Sequence, residues 1–140
     1  MQTKKISSFL WFDSNADQAV ARYASIFGAD CKVSGTSFEL FGQHFIAFNG
    51  GSHYKLNEAF SIMVECDNQA EIDRLWAALL ADGGAPSRCG WLKDPFGVSW
   101  QLVPKQLFSL LHHPDPQKAA RVLQAMLAMN KLDIAALERA

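Results

Sequence analysis

The sequence predicts an α+β fold, and three observations carry that reading: a short apolar strand followed by a one-sided helix and three glycine-separated strands, a second run of the same order, and a helical tail. Ile6 to Phe12 is the first strand. Asp13-Ser14-Asn15 then offers side-chain oxygens to the free amides of a helix start. Ala19, Val20, Tyr23, Ile26 and Phe27 recur at three-to-four spacing, the period of one helix face, and Gly28 supplies a left-handed stop. Cys31 to Val33, Phe38 to Phe41 and Phe45 to Phe48 follow as strands, broken at Gly35 and Gly42. The first module thus reads βαβββ and occupies residues 1–57.

The second module, 58–104, repeats the order. Phe60 to Cys66 is its strand, and Asn68 with Glu71 three residues on is a capping box. The helix carries Ile72, Leu75, Trp76, Leu79 and Leu80, and Gly83-Gly84 ends it. Trp91 to Lys93 and Val98 to Val103 are strands joined through Asp94-Pro95-Phe96-Gly97, whose proline and glycine suit a tight turn. Aligning Asp13-Ser14 with Asp67-Asn68 gives an offset of 54, and aligning the two Phe-Gly turns gives 55. Two independent landmarks therefore agree on a duplication. Residues 105–140 form a helical extension: Leu107 to Leu111, Lys118 to Met129 with an apolar stripe, and Ile134 to Arg139 behind an Asp133 cap. That extension is expected to pack on the sheet or on a second subunit.

Bulk properties narrow the function classes. At 140 residues, 49% hydrophobic and 19% charged, the chain is expected to be one globular domain. No apolar run reaches the roughly 18–20 residues of a membrane span, and the apolar stretch after Lys4-Lys5 is too short for a secretory leader, so a cytoplasmic protein is expected. Thirteen basic and 14 acidic side chains build no field for a phosphate backbone, which argues against nucleic acid. Cys31, Cys66 and Cys89 are odd in number and far apart, a pattern of buried thiols and not of a disulfide framework or a zinc site.

Strand alternation nominates pocket residues. If Gln101 faces a cavity, Ser99 and Val103 do too, while Val98, Trp100 and Leu102 pack under the helix. Ser61, Met63 and Glu65 fall on the cavity face of their strand; in the first strand Ser8, Leu10 and Phe12 are assigned there, with Phe9 and Trp11 against the helix. The candidate ligand-binding set is Gln101, Ser99, Ser61, Met63, Glu65, Asn49, Phe12 and Trp91. Each has a plainer reading: Gln101 and Ser99 as a mutually bonded pair, Glu65 as a solvated strand end, Trp91 as core. No catalytic residue is assigned, since only Glu65 and His44 offer an acid–base group and no base lies near Cys66 or Cys89.

The strings "FLWFDSNADQAVARYASIFG", "FELFGQHFIAFNGG", "NEAFSIMVECDNQAEIDRLWAAL", "CGWLKDPFGVSWQLVP" and "KAARVLQAMLAMNKLDIAALE" cover nearly the whole chain. They resemble the PhnB-like branch of the glyoxalase/bleomycin-resistance/dioxygenase, or vicinal oxygen chelate, superfamily, a group often labelled 3-demethylubiquinone-9 3-methyltransferase. The resemblance implies two βαβββ modules forming a curled eight-stranded mixed sheet around a cavity, and a homodimer. Active members hold a divalent ion through His or Glu on the first and last strand of each module. The matching positions here are Ile6, Ile46 or Ala47, Ser61 and Gln101, so no metal and no cofactor are expected; an unusual site built from His53, Glu58 or Glu65 is the alternative. The implied function is binding of a small molecule, with a lyase or dioxygenase of altered site as the alternative. The methyltransferase label conflicts with the residues, because Phe12 is followed by Asp13-Ser14-Asn15 where a Rossmann-type enzyme needs a glycine-rich turn.

Overall fold

A computed structural model of the chain describes residues 4–140. It separates into two compact units, one ending at Asn57 and the other Glu58–Ala140.

In the first unit β1 (Ser8–Phe12), α1 (Ala16–Phe27), β2 (Cys31–Ser34), β3 (Ser37–Leu40) and β4 (Gln43–Asn49) follow the expected βαβββ order. The sheet is open and mixed, ordered β1-β4-β3-β2, with β1 parallel to β4 and both hairpins antiparallel. Register places Leu10 beside Ala47 and Phe38 beside Phe45, and all four are buried. Tyr23 of α1 meets Phe38 at a ring-centroid distance of 5.6 Å, which identifies this as the helix-covered face. The start of α1 is not held as its sequence suggests. Asn15 makes no side-chain cap; the amide of Ala16 instead donates to Asn49 Oδ1 at 2.9 Å, from the end of β4.

The second unit repeats the pattern with β5 (Ser61–Cys66), α2 (Gln69–Leu80), β6 (Ala85–Pro86), β7 (Trp91–Lys93) and β8 (Ser99–Pro104), ordered β5-β8-β7-β6. The eight strands are thus two open sets of four. The capping box on α2 forms as read: Asn68 Oδ1 accepts from the Glu71 amide at 2.9 Å, and Glu71 Oε1 reaches back to the Asp67 amide at 2.7 Å. Trp100 and Leu102, fully buried, pair with Ile62 and Val64 on the face under α2, whose Ile72, Leu75 and Leu79 are also buried. The β7–β8 turn is organised by one side chain. Asp94, buried, accepts from the amides of Phe96 and Val98 through Oδ1 at 2.9 and 3.0 Å, and from the Trp100 indole through Oδ2 at 2.9 Å.

The helical extension packs on its own unit. Helices α3 (Leu107–Leu111), α4 (Pro116–Leu127) and α5 (Ile134–Arg139) enclose a second core of Leu107, Val122, Leu132 and Leu137 together with Val103 of β8. Met126 and Met129 pack against that cluster, so part of the apolar stripe is used inside the chain. Asp133 caps α5 as expected, accepting from the Ala136 amide at 3.1 Å. The tail is also tied to the sheet: Cys89 and Gly90 amides donate to the carbonyls of Met129 and Asn130, each at 2.8 Å. Gln69 closes the other side, donating to the Leu132 carbonyl and accepting from the Ile134 amide.

Candidate functional site

The sheet face of the second unit that α2 leaves uncovered carries the candidate site. Cross-strand register puts Ser61 beside Ser99, Met63 beside Gln101, Trp91 beside Gln101 and Lys93 beside Ser99. These side chains share a face because residues directly opposite across a ladder project together. Gln101 Nε2 donates to Ser61 Oγ at 2.9 Å. Ser99 is buried, yet its hydroxyl has no hydrogen-bond partner among the described residues. Ser99 is one of the residues lining a hollow of about 220 Å³, with Glu58, Ala85, Pro86, Ser87, Trp91, Leu92 and Lys93. At its rim Lys93 Nζ is paired with the Glu58 carboxylate, and this pairing holds the Glu58 carboxyl below its ordinary range.

Of the eight nominated residues, the hollow gathers Trp91 and Ser99, with Ser61 and Gln101 as a bonded pair next to them on the same face. Met63 and Glu65 are on that face but exposed and outside the lining. Val103 is claimed by the C-terminal core. Phe12 and Asn49 require correction. Phe12 is buried on the face beneath α1, and Asn49 caps α1, so neither lines the hollow. The alternation of β1 runs with the opposite sign to the one assigned, leaving Phe9 and Trp11 on the uncovered face. There Trp11 meets Phe48 and Tyr54, both at 5.1 Å, and donates its indole proton to the Gly51 carbonyl at 2.9 Å. Gly50 permits this approach, since a Cβ there would sit 2.1 Å from the Trp11 ring. The residue missed in the sequence was Lys93. Alternation along Trp91-Leu92-Lys93 was the signal that would have found it.

His44, buried, has its Nδ1 2.5 Å from Ser7 Oγ. All three cysteines are free, and burial raises the Cys31 thiol and pushes Cys66 up to about 12, which keeps both protonated at neutral pH.

A divalent ion does not fit the residues at the superfamily's ligand positions. Register settles the ambiguous one, with Ile46 facing away from α1 and Ala47 buried beneath it. Ile46 and Ile6 have no donor atom, and Ser61 and Gln101 are neutral and bonded to each other. Among the described residues no three His, Cys, Asp or Glu side chains converge.

Paired βαβββ modules, each with an open mixed sheet, are the architecture of glyoxalase/bleomycin-resistance proteins, and this chain is one of that superfamily's PhnB-like branch. Specifically, it belongs to the family described as 3-demethylubiquinone-9 3-methyltransferase, whose model matches residues 28–103. Among solved structures it is similar to a PhnB protein from Bacillus cereus that carries the same methyltransferase name, at 29% identity and TM-score 0.61, over 72% of this chain and 99% of that one. Protein PA1353 from Pseudomonas aeruginosa has the same fold at 21% identity and TM-score 0.60, covering 74% of this chain and 98% of the other. So does a glyoxalase/bleomycin resistance protein from Albidiferax ferrireducens, at 13% identity and TM-score 0.52, covering 70% and 96%. No curated protein matches the sequence. No described helix is long and apolar enough to cross a membrane.

Proposed function

We propose that the protein binds a small one-ring molecule in the hollow of its second unit, without a metal and without turning it over. The observation that carries this reading is Ser99, a wall residue of a hollow that also presents Trp91, whose enclosed hydroxyl is unpartnered among the described residues. A buried hydroxyl left without a hydrogen bond costs about 1–3 kcal/mol, a cost that a ligand atom accepting or donating there removes. Sites for drug-sized ligands run to about 300–1,000 Å³. The smaller hollow here, about 220 Å³, suits a single ring. Methyl transfer has the family's name behind it, whereas the hairpin-built sheets lack the βα crossovers of a Rossmann-type methyltransferase. The reading includes a cytoplasmic homodimer, supported by the resemblance alone.

Two outcomes test it. Titration of the ¹⁵N-labelled protein with phenol and with benzamide is expected to shift the Trp91 indole and Ser99 amide resonances saturably. In the Ser99→Ala variant the affinity falls about fivefold, the equivalent of one neutral hydrogen bond, while stability is unchanged or rises by up to about 1–2 kcal/mol. A Ser99→Ala protein that is clearly less stable, or resonances that do not move with any one-ring probe, overturns the reading. Elemental analysis is expected to return no stoichiometric metal. Chelation, or addition of Ni²⁺, Zn²⁺, Mn²⁺ or Fe²⁺, is expected to leave the melting temperature in place, because an ion that binds only the native state raises it. A stoichiometric ion would move a lyase or dioxygenase to the front.

A further inference from the structure

We infer that the ligand of this hollow is a small aromatic monocarboxylate, and that Glu58 occupies its carboxylate position when the ligand is absent; the inference rests on the binding reading above. Lys93 and Ser99 are direct cross-strand neighbours on β7 and β8 and share the uncovered face. Their side chains therefore start about 5 Å apart, so that once the Ser99 side chain turns its enclosed hydroxyl toward the hollow one carboxylate accepts from both, an ammonium proton on one oxygen and the hydroxyl proton on the other. The chain itself seats a carboxylate on Lys93: Glu58, from the same lining, is bonded to Nζ. That pair is easily exchanged, because its side chains are 38% and 65% exposed, and exposed ion pairs hold weakly. Trp91 lies two residues from Lys93 on the same strand and face, half-buried, and Ala85 is opposite Lys93 on the neighbouring strand and lines the same hollow. A planar ring anchored at Lys93 has these two apolar surfaces to rest on. Ser99 then gains the acceptor that no group among the described residues supplies.

Benzoate, benzamide and acetate separate the parts of this inference, followed through the Trp91 indole and Ser99 amide resonances. Benzoate is expected to bind at least about tenfold more tightly than benzamide or acetate, and to weaken as salt is raised. Glu58→Gln removes the internal competitor and is expected to tighten benzoate about three- to tenfold; Lys93→Met is expected to reduce benzoate to the benzamide level and leave benzamide unchanged. Glu58 is exposed and Lys93 half-buried, and a melt confirms that each variant is folded. If benzamide matches benzoate, or Glu58→Gln weakens benzoate, the carboxylate assignment falls while the binding reading stands. Acetate binding as tightly as benzoate removes the aromatic part. If none of the probes moves either resonance, both readings fall together.

Discussion

Asp94→Ala is expected to lower the stability of the second unit by about 3–5 kcal/mol, the largest effect of any single side chain outside the apolar core. The substitution removes a buried carboxylate that accepts from two amides and an indole, and it leaves those three donors without their acceptor. Unsatisfied buried donors cost about 1–3 kcal/mol each, partly relieved by local relaxation. In a chain of this size that corresponds to a fall in melting temperature on the order of 10 °C. Asp94→Asn separates the contributions. Its amide oxygen can still accept from Phe96 and Val98, but an NH₂ now faces the Trp100 indole proton, so about half the loss is expected together with faster exchange of that indole proton. An Asp94→Ala protein as stable as the parent would show that the turn is held by Pro95 and Gly97 alone. The same turn joins β7, which carries Trp91 and Lys93, to β8, which carries Ser99. Ligand binding is therefore expected to weaken in parallel with stability.

Gly90→Ala is the second large effect, at about 2–4 kcal/mol. Gly90 has φ +84°, a conformation that L side chains rarely adopt, and a Cβ there would lie 2.7 Å from the Leu102 carbonyl oxygen and 3.1 Å from Leu132 Cδ1. The backbone oxygen cannot yield without disturbing the bonds Gly90 makes to Asn130 and Leu102. The loss should therefore appear first as undocking of residues 128–140, read as hydrogen exchange at Leu132 and Leu137. Gly35→Ala is the matched control. Gly35 also has positive φ, at +61°, but nothing lies within 4 Å of its Cβ position, so only the conformational cost of about 1 kcal/mol is expected. Equal losses at the two positions would mean that the close approach at Gly90 is not a structural constraint.

The two modules differ in how far their faces could be read from residues alone. In the second, alternation carries a polar marker: Ser99 and Gln101 interrupt Val98, Trp100 and Leu102, so the covered and uncovered faces are distinguishable in the sequence, and the structure agrees. In β1 both alternating sets are apolar, Leu10 and Phe12 against Phe9 and Trp11, and periodicity assigns no sign to them. The sign came from elsewhere in the fold. Asn49, 33 residues beyond Ala16, caps α1 from the end of β4, and Leu10 and Phe12 are buried on the side that helix covers. Asn15, the nearer candidate, makes no such bond. Asp94 shows a similar limit. Its tetrapeptide announced a turn, yet that its carboxylate would be buried under a tryptophan indole depended on β8 folding back over six residues.

By itself the sequence determined the order of elements apart from the two-residue β6, the duplication, the capping box at Asn68 and Glu71, and the Asp133 cap. Each depends on residue type or short-range spacing, and local chain chemistry is enough to read it. Only the tertiary structure decided which face of β1 is covered, that Val103 belongs to the C-terminal core, and that Lys93, Glu58 and Ser99 meet at one hollow. Those facts depend on groups brought together across strands and loops, where contact follows from packing and not from distance along the chain.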